Sequence, residues 1–167
     1  MSYGNLQVSP IGNCAVSALI DSEGRFVWGC LPRVDGDPAF SALLSGKEPG
    51  EGKARGVWSI KLEDQVFATQ EYERNTATLK TILTDARGTS VEIIDFCPRF
   101  RRFNPVYRPL AYARIVRPLK GVPRVCVQLV PTANRVVQIA ERTFGSNHIR
   151  YLATGAILRL TTTMPVS

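Results

Sequence analysis

The sequence predicts an all-β domain, an antiparallel β-sandwich with one short helix, and three observations carry that expectation. Apolar residues recur with period two in short runs bounded by Gly, Pro, Asp and Asn, the pattern of strands with one buried face. Neighbouring runs are joined by tight polar segments that end in glycine. No segment carries the apolar spacing of a long amphipathic helix. A chain of 167 residues, 44% of them hydrophobic, can bury the core of one domain, so residues 1–167 are expected to form a single unit.

CAVSALI (14–20) and RFVWGC (25–30) flank DSEG, where Gly24 can supply a positive φ, so the first two strands form a hairpin. After them, AFSALLSG (39–46) is predicted to be the short helix. Asp37 would cap it, Pro38 would occupy its first position and Gly46 would close it. GKEPGEGKARG (46–56), rich in glycine and charge, is expected to be a surface loop.

VWSIKL (57–62) and VFATQEY (66–72) are the next strands, followed by a second hairpin of TATLKTILT (76–84) and TSVEIIDF (89–96) around DARG. Ala77, Leu79 and Leu83 would share one face, and Val91 and Ile93 another. LAYARIV (110–116), RVCVQLV (124–130) and AILRLTTT (156–163) complete the set. Because TTTMPVS follows a strand with no closing element, the chain is expected to be the first part of a longer sandwich.

The charge is uneven. Residues 1–95 hold nine basic and thirteen acidic side chains, whereas 96–140 hold nine basic and none acidic, which accounts for the net charge of +7. PRFRRFNPVYRPLAYARIVRP (98–118) interleaves six arginines with Phe100, Phe103, Tyr107 and Tyr112. Such mixing can bind nucleic acid, but a solvated arginine face, or arginines pairing with the acidic first half, is the favoured reading.

Cys14, Cys30, Cys97 and Cys126 are far apart, lie in or beside apolar segments and form no C-x-x-C, so buried free thiols in a reducing cytoplasm are expected. With His148 the single histidine, no metal site is expected, and His148 is assigned a packing or hydrogen-bonding role. GEGKARG lacks the flanking strand and helix of a phosphate loop, and no cofactor is expected. No stretch approaches the roughly 20 apolar residues of a membrane span, and the N-terminus has no basic segment followed by an apolar one.

WGCLPRVDGDPAF (28–40) contains the candidate site. Asp35 and Asp37 could in principle be the two carboxyls of glycoside hydrolysis, but those flank a substrate about 5 to 10 Å apart. Two aspartates two residues apart on one loop more often cap turns. Arg33 and Asp35 are therefore placed on a strand-end loop, where they either face a partner domain or its ligand or only hold each other, and Trp28 and Cys30 are assigned to the core.

The stretch IGNCAVSALIDSEGRFVWGCLPRVDGDPAFSALL resembles the opening of the N-terminal domain of glycoside hydrolase family 15, the bacterial glucoamylase and trehalase-like group. The matching residues are Ile11, Gly12 and Asn13, then Glu23 and Gly24, then Trp28, Cys30, Pro32, Arg33 and Asp35, then Phe40, Leu43 and Leu44. Val34 and Gly36 stand where that family has Phe and Ser. VWSIKL, QEYERNTATLKTILTDARGTSVEIIDFCPRF and LAYARIVRPLKGVPRVCVQLVP are similar to its later segments in the same order.

The resemblance implies a supersandwich-like domain followed by a helical (α/α)6 barrel that hydrolyses α-glucosidic bonds with inversion. The catalytic glutamates of such enzymes lie on the barrel, beyond residue 167, so this chain is expected to be inactive alone. Its expected partners are that barrel, an α-glucoside or oligosaccharide at the domain interface, and a second copy through exposed strand edges. An independent carbohydrate-binding module using Trp28, Trp58 and Tyr72 is the alternative, and nonspecific nucleic-acid binding through 98–118 ranks last.

Overall fold

The computed structural model describes residues 7–44, 55–133, 137–139, 141–153 and 156–166. Its strands, in chain order, are β1 (Val8–Gly12), β2 (Ser17–Asp21), β3 (Phe26–Cys30), β4 (Pro38–Phe40), β5 (Val57–Leu62), β6 (Gln65–Tyr72), β7 (Leu79–Asp85), β8 (Ser90–Phe96) and β9 (Phe100–Arg101). They continue with β10 (Val106–Tyr107), β11 (Ala113–Lys120), β12 (Val125–Val130), β13 (Thr132–Ala133), β14 (Val137–Gln138), β15 (Arg142–Phe144), β16 (His148–Ala153) and β17 (Ala156–Thr161). All the pairings are antiparallel.

Two sheets make the sandwich. The first runs β1-β2-β3-β5-β12, with β4 also on β3, and the second runs β11-β8-β7-β6. Ile11, Ala18, Ile20 and Phe26 of the first meet Leu79 of the second, and Ile60 and Leu62 meet Leu83, Val91 and Ile93. These side chains are withdrawn from water on the inner faces of both sheets, which is what holds the layers together.

Both expected hairpins form. Gly24 at φ 75° closes the β2–β3 turn, whose backbone is held by Asp21: its Oδ1 accepts from the amides of Glu23 and Arg25. In β7 and β8 the alternation is as expected for Leu79, Leu83, Val91 and Ile93, but Ala77 lies exposed ahead of the strand. Thr81 takes the buried position between Leu79 and Leu83, its Oγ1 accepting from Gln70 Nε2 at 3.0 Å.

Three assignments need correction. The single short helical turn expected within 39–46 forms as a 3-10 turn from Ala42 to Leu44, but β4 precedes it, so Asp37 leads into a strand rather than capping the turn. Ser45 and Gly46, with most of the loop expected over 46–56, lie outside the described residues. The physical reason is a tertiary contact: the amides of Ser41 and Ala42 both donate to the carbonyl of Gly56, at 2.9 and 3.1 Å. Gly56 sits at φ 65°, where a Cβ would fall 2.6 Å from the Ser41 amide nitrogen, so only glycine lets the two segments approach. This seats Ala42 with Val27 and Val57 on the outer face of the first sheet.

The second correction is register. The strand expected over 110–116 begins at Ala113 and runs through Pro118 to Lys120, at the edge of its sheet where a proline is tolerated. Third, Cys30 and Cys97 are buried but Cys14 and Cys126 are exposed, and Trp28 is only half-buried. A bulge between Leu19 and Ile20 puts Phe26, rather than Trp28, at the centre of the inner face.

Candidate functional site

The loop 31–37 leaves the end of β3 across a cis Leu31–Pro32 bond. Arg33 donates from Nε to Asp35 Oδ1 and from Nη2 to Asp35 Oδ2, both at 2.8 Å. The pair is a two-pronged clamp in water, with the side chains 76% and 64% exposed. Those hydrogen bonds and the charge of Arg33 hold the Asp35 carboxyl below the usual carboxylate range, which suits an anion and not a proton donor. Below the loop, burial pushes the Cys30 thiol up, and the charges of Asp37 and Asp35 add to the effect.

The buried polar chemistry lies elsewhere, between the two sheets. Arg114 on β11 faces Asp95 on β8 directly across the strand pair. Its Nε donates to Asp95 Oδ1 at 2.7 Å and its Nη2 to Oδ2 at 3.1 Å, with side chains 2% and 0% exposed. The same guanidinium donates to the carbonyls of Trp58, at 2.9 Å, and Gly24. It lies over the rings of Phe26 and Trp58, 4.7 and 5.2 Å from their centroids. One arginine thus ties the second sheet to β5 and to the β2–β3 turn. Burial pushes the Asp95 carboxyl up, against the pull of Arg114.

Tyr112 and Asn13 complete this framework. The Tyr112 hydroxyl donates to the carbonyls of Ser17 and Cys30, at 2.9 and 3.1 Å. Asn13, 2% exposed, accepts from the amides of Ala15 and Val16, and its Nδ2 donates to the carbonyls of Pro98 and Pro109, at 2.8 and 2.9 Å. These last two bonds pin the stretch from Pro98 to Pro109, the first half of the arginine-rich segment, at both of its ends.

Above them, β9 and β10 form a small ribbon with every residue from Arg99 to Arg108 exposed. The rings of Phe100 and Tyr107 stack on each other, centroids 5.9 Å apart and planes 14° apart. Of the arginines of 98–118 expected to pair with the acidic first half, Arg114 does so through Asp95; beyond that segment, Arg124 meets Glu63 loosely at 3.9 Å. Asp37 is exposed, and His148 opens β16 with its ring packed against Gly145.

Asn13, Asp95, Tyr112 and Arg114 are not among the residues that sequence reasoning selected as a site. Asp95 had a signal: it falls in phase with Val91 and Ile93, an acid where the alternation demands a buried side chain. Such a carboxylate requires a partner.

The fold and its polar framework define a class: an antiparallel β-sandwich whose buried ionic chemistry is structural. The family model of trehalase-like N-terminal domains matches residues 6–163, and the chain belongs to this family. No curated protein and no solved structure matches it.

Proposed function

We propose that this chain is the non-catalytic N-terminal β-sandwich domain of a glucoamylase- or trehalase-like α-glucoside hydrolase, supporting a helical (α/α)6 barrel that carries the catalytic glutamates. The family match over 6–163 carries this reading. The state of the carboxylates supports it. Asp35 is held ionised by Arg33 in open water, and Asp95 is sealed in the core against Arg114, so neither is placed to give a proton to a glycosidic oxygen. Arg33 and Asp35, projecting from the end of β3, are assigned to the contact with the barrel or with a sugar at its mouth. A reducing cytoplasm suits the four free thiols. Among the described residues no helix is long and apolar enough to cross a membrane.

The carbohydrate-binding alternative has less support, because Trp58 packs against Phe26 and Phe40 and the Tyr72 hydroxyl is engaged by the Pro10 carbonyl. The test is an assay of the full-length gene product and of the 167-residue chain against trehalose, maltose and isomaltose. Hydrolysis by the former and none by the latter is expected. Turnover by the short chain, or a stop codon directly after Ser167, overturns the proposal.

A further inference from the structure

We propose that the β9–β10 hairpin is a docking element for a protein surface on which carboxylates rim an apolar hollow. This goes beyond the role assigned above and does not depend on it.

Two observations make the hairpin a built projection. Asn13 holds the carbonyls of Pro98 and Pro109 with the two protons of one buried amide, so the ribbon stands on a fixed base. At its tip the Arg102 amide closes the turn on the Pro105 carbonyl, and Phe103 is 93% exposed at φ 60°. A phenylalanine in the left-handed region is uncommon, and this turn leaves its large apolar ring out in water.

The ribbon carries Arg101 and Arg102 next to that ring in sequence and Arg99 and Arg108 at its base, with no acidic residue anywhere from 96 to 140. None of the four makes an ion pair among the described residues. Phe100 and Tyr107, at 48% and 50% exposure, add apolar area on one face of the ribbon, and Val106, at 40%, on the other. Aromatic residues and arginine with few acids are the composition of protein-interface cores, and the one-signed charge selects an acidic partner.

Shape argues against nucleic acid. Single strands are bound in grooves that track the backbone and offer open ring faces to successive bases. This element is a two-stranded ribbon exposed from Arg99 to Arg108, and its rings Phe100 and Tyr107 stack on each other.

The test is fluorescence anisotropy of the 167-residue chain with three labelled probes at low salt: a poly(Glu,Tyr) copolymer, poly(Glu) and single-stranded oligothymidylate. The copolymer is expected to bind tightest. Phe103→Ala, which removes no core packing, should weaken the copolymer about tenfold while changing poly(Glu) by less than about twofold. Arg101→Ser with Arg102→Ser should weaken both acidic probes. Tighter binding of oligothymidylate than of copolymer, an unchanged Phe103→Ala, or no copolymer binding overturns the proposal, with thermal melting of each variant confirming its fold.

Discussion

Asp95 has no access to water, and its carboxylate is tolerated because a single guanidinium meets both of its oxygens. Taking two charges out of water is expensive, and their attraction repays it only while both remain. Arg114→Met should therefore lower unfolding stability by about 3–5 kcal/mol, whereas Arg114→Met with Asp95→Leu should recover most of that loss, as read by urea denaturation. Cys97, beside this pair, has its thiol pushed up to about 12, first by burial and then by the charge of Asp95. Burial likewise raises the Tyr112 hydroxyl. In both cases the folded state holds its proton more tightly than the unfolded chain does. The stability this contributes is complete below the ordinary thiol value of 9.0 and is lost as pH rises from there towards about 12. Melting temperature should fall across that window, and Cys97→Ala should flatten the fall; an equal slope in the variant would refute the assignment. Asp95 was legible as a buried acid from its phase with Val91 and Ile93, but its partner was not, since nothing in a strand's own alternation says which residue will oppose it nineteen positions away.

At the level of elements, the hairpins around Gly24 and Gly88 were legible because their turns are local: each glycine has the positive φ that its turn needs, at 75° and 78°. In the segment 39–44 the helical turn was legible but its start was misread, for the opposite reason. Its apolar spacing allows a helix, but the carbonyl of Gly56, a dozen residues on, takes the amides of Ser41 and Ala42 and holds the preceding residues extended against β3. The β9–β10 ribbon is the converse case, since its prolines and arginines favoured a solvated face or ion pairs with the first half, while Asn13 supplies its anchor from more than eighty residues away. Asn13→Ala should loosen the ribbon by at least ~1 kcal/mol, which corresponds to about fivefold faster tryptic cleavage after Arg99, Arg101 and Arg102 under native conditions. No change in cleavage rate would show that the ribbon holds itself.

For the whole molecule, β12 is an edge strand of the first sheet among the described residues. Its Arg124 and Val130 carbonyls turn towards the β5 side, bonding the amides of Glu63 and Gly56, and the intervening alternation turns the backbone groups of Val125 and Val127 outward. The Leu129 carbonyl, also outward, takes the Tyr151 hydroxyl at 3.2 Å. From Val125 to Val130 this edge carries no charge and no proline, the devices that discourage edge pairing. The isolated chain should therefore associate through β12 as its concentration rises. Light scattering should show a mass above the monomer that Val127→Lys shifts back; a strictly monomeric wild type would refute this. By itself the sequence determined the β class, two hairpins, the inward phase of the core strands and the likeness to trehalase-like N-terminal domains, because alternation and turn chemistry act over a few residues. Only the tertiary structure decided that Arg33 closes on Asp35, that Asp37 leads into a strand, and that Asn13, Asp95, Tyr112 and Arg114 hold the layers together. Those outcomes depend on which strands come to lie opposite one another, and that is set by burial over the whole chain.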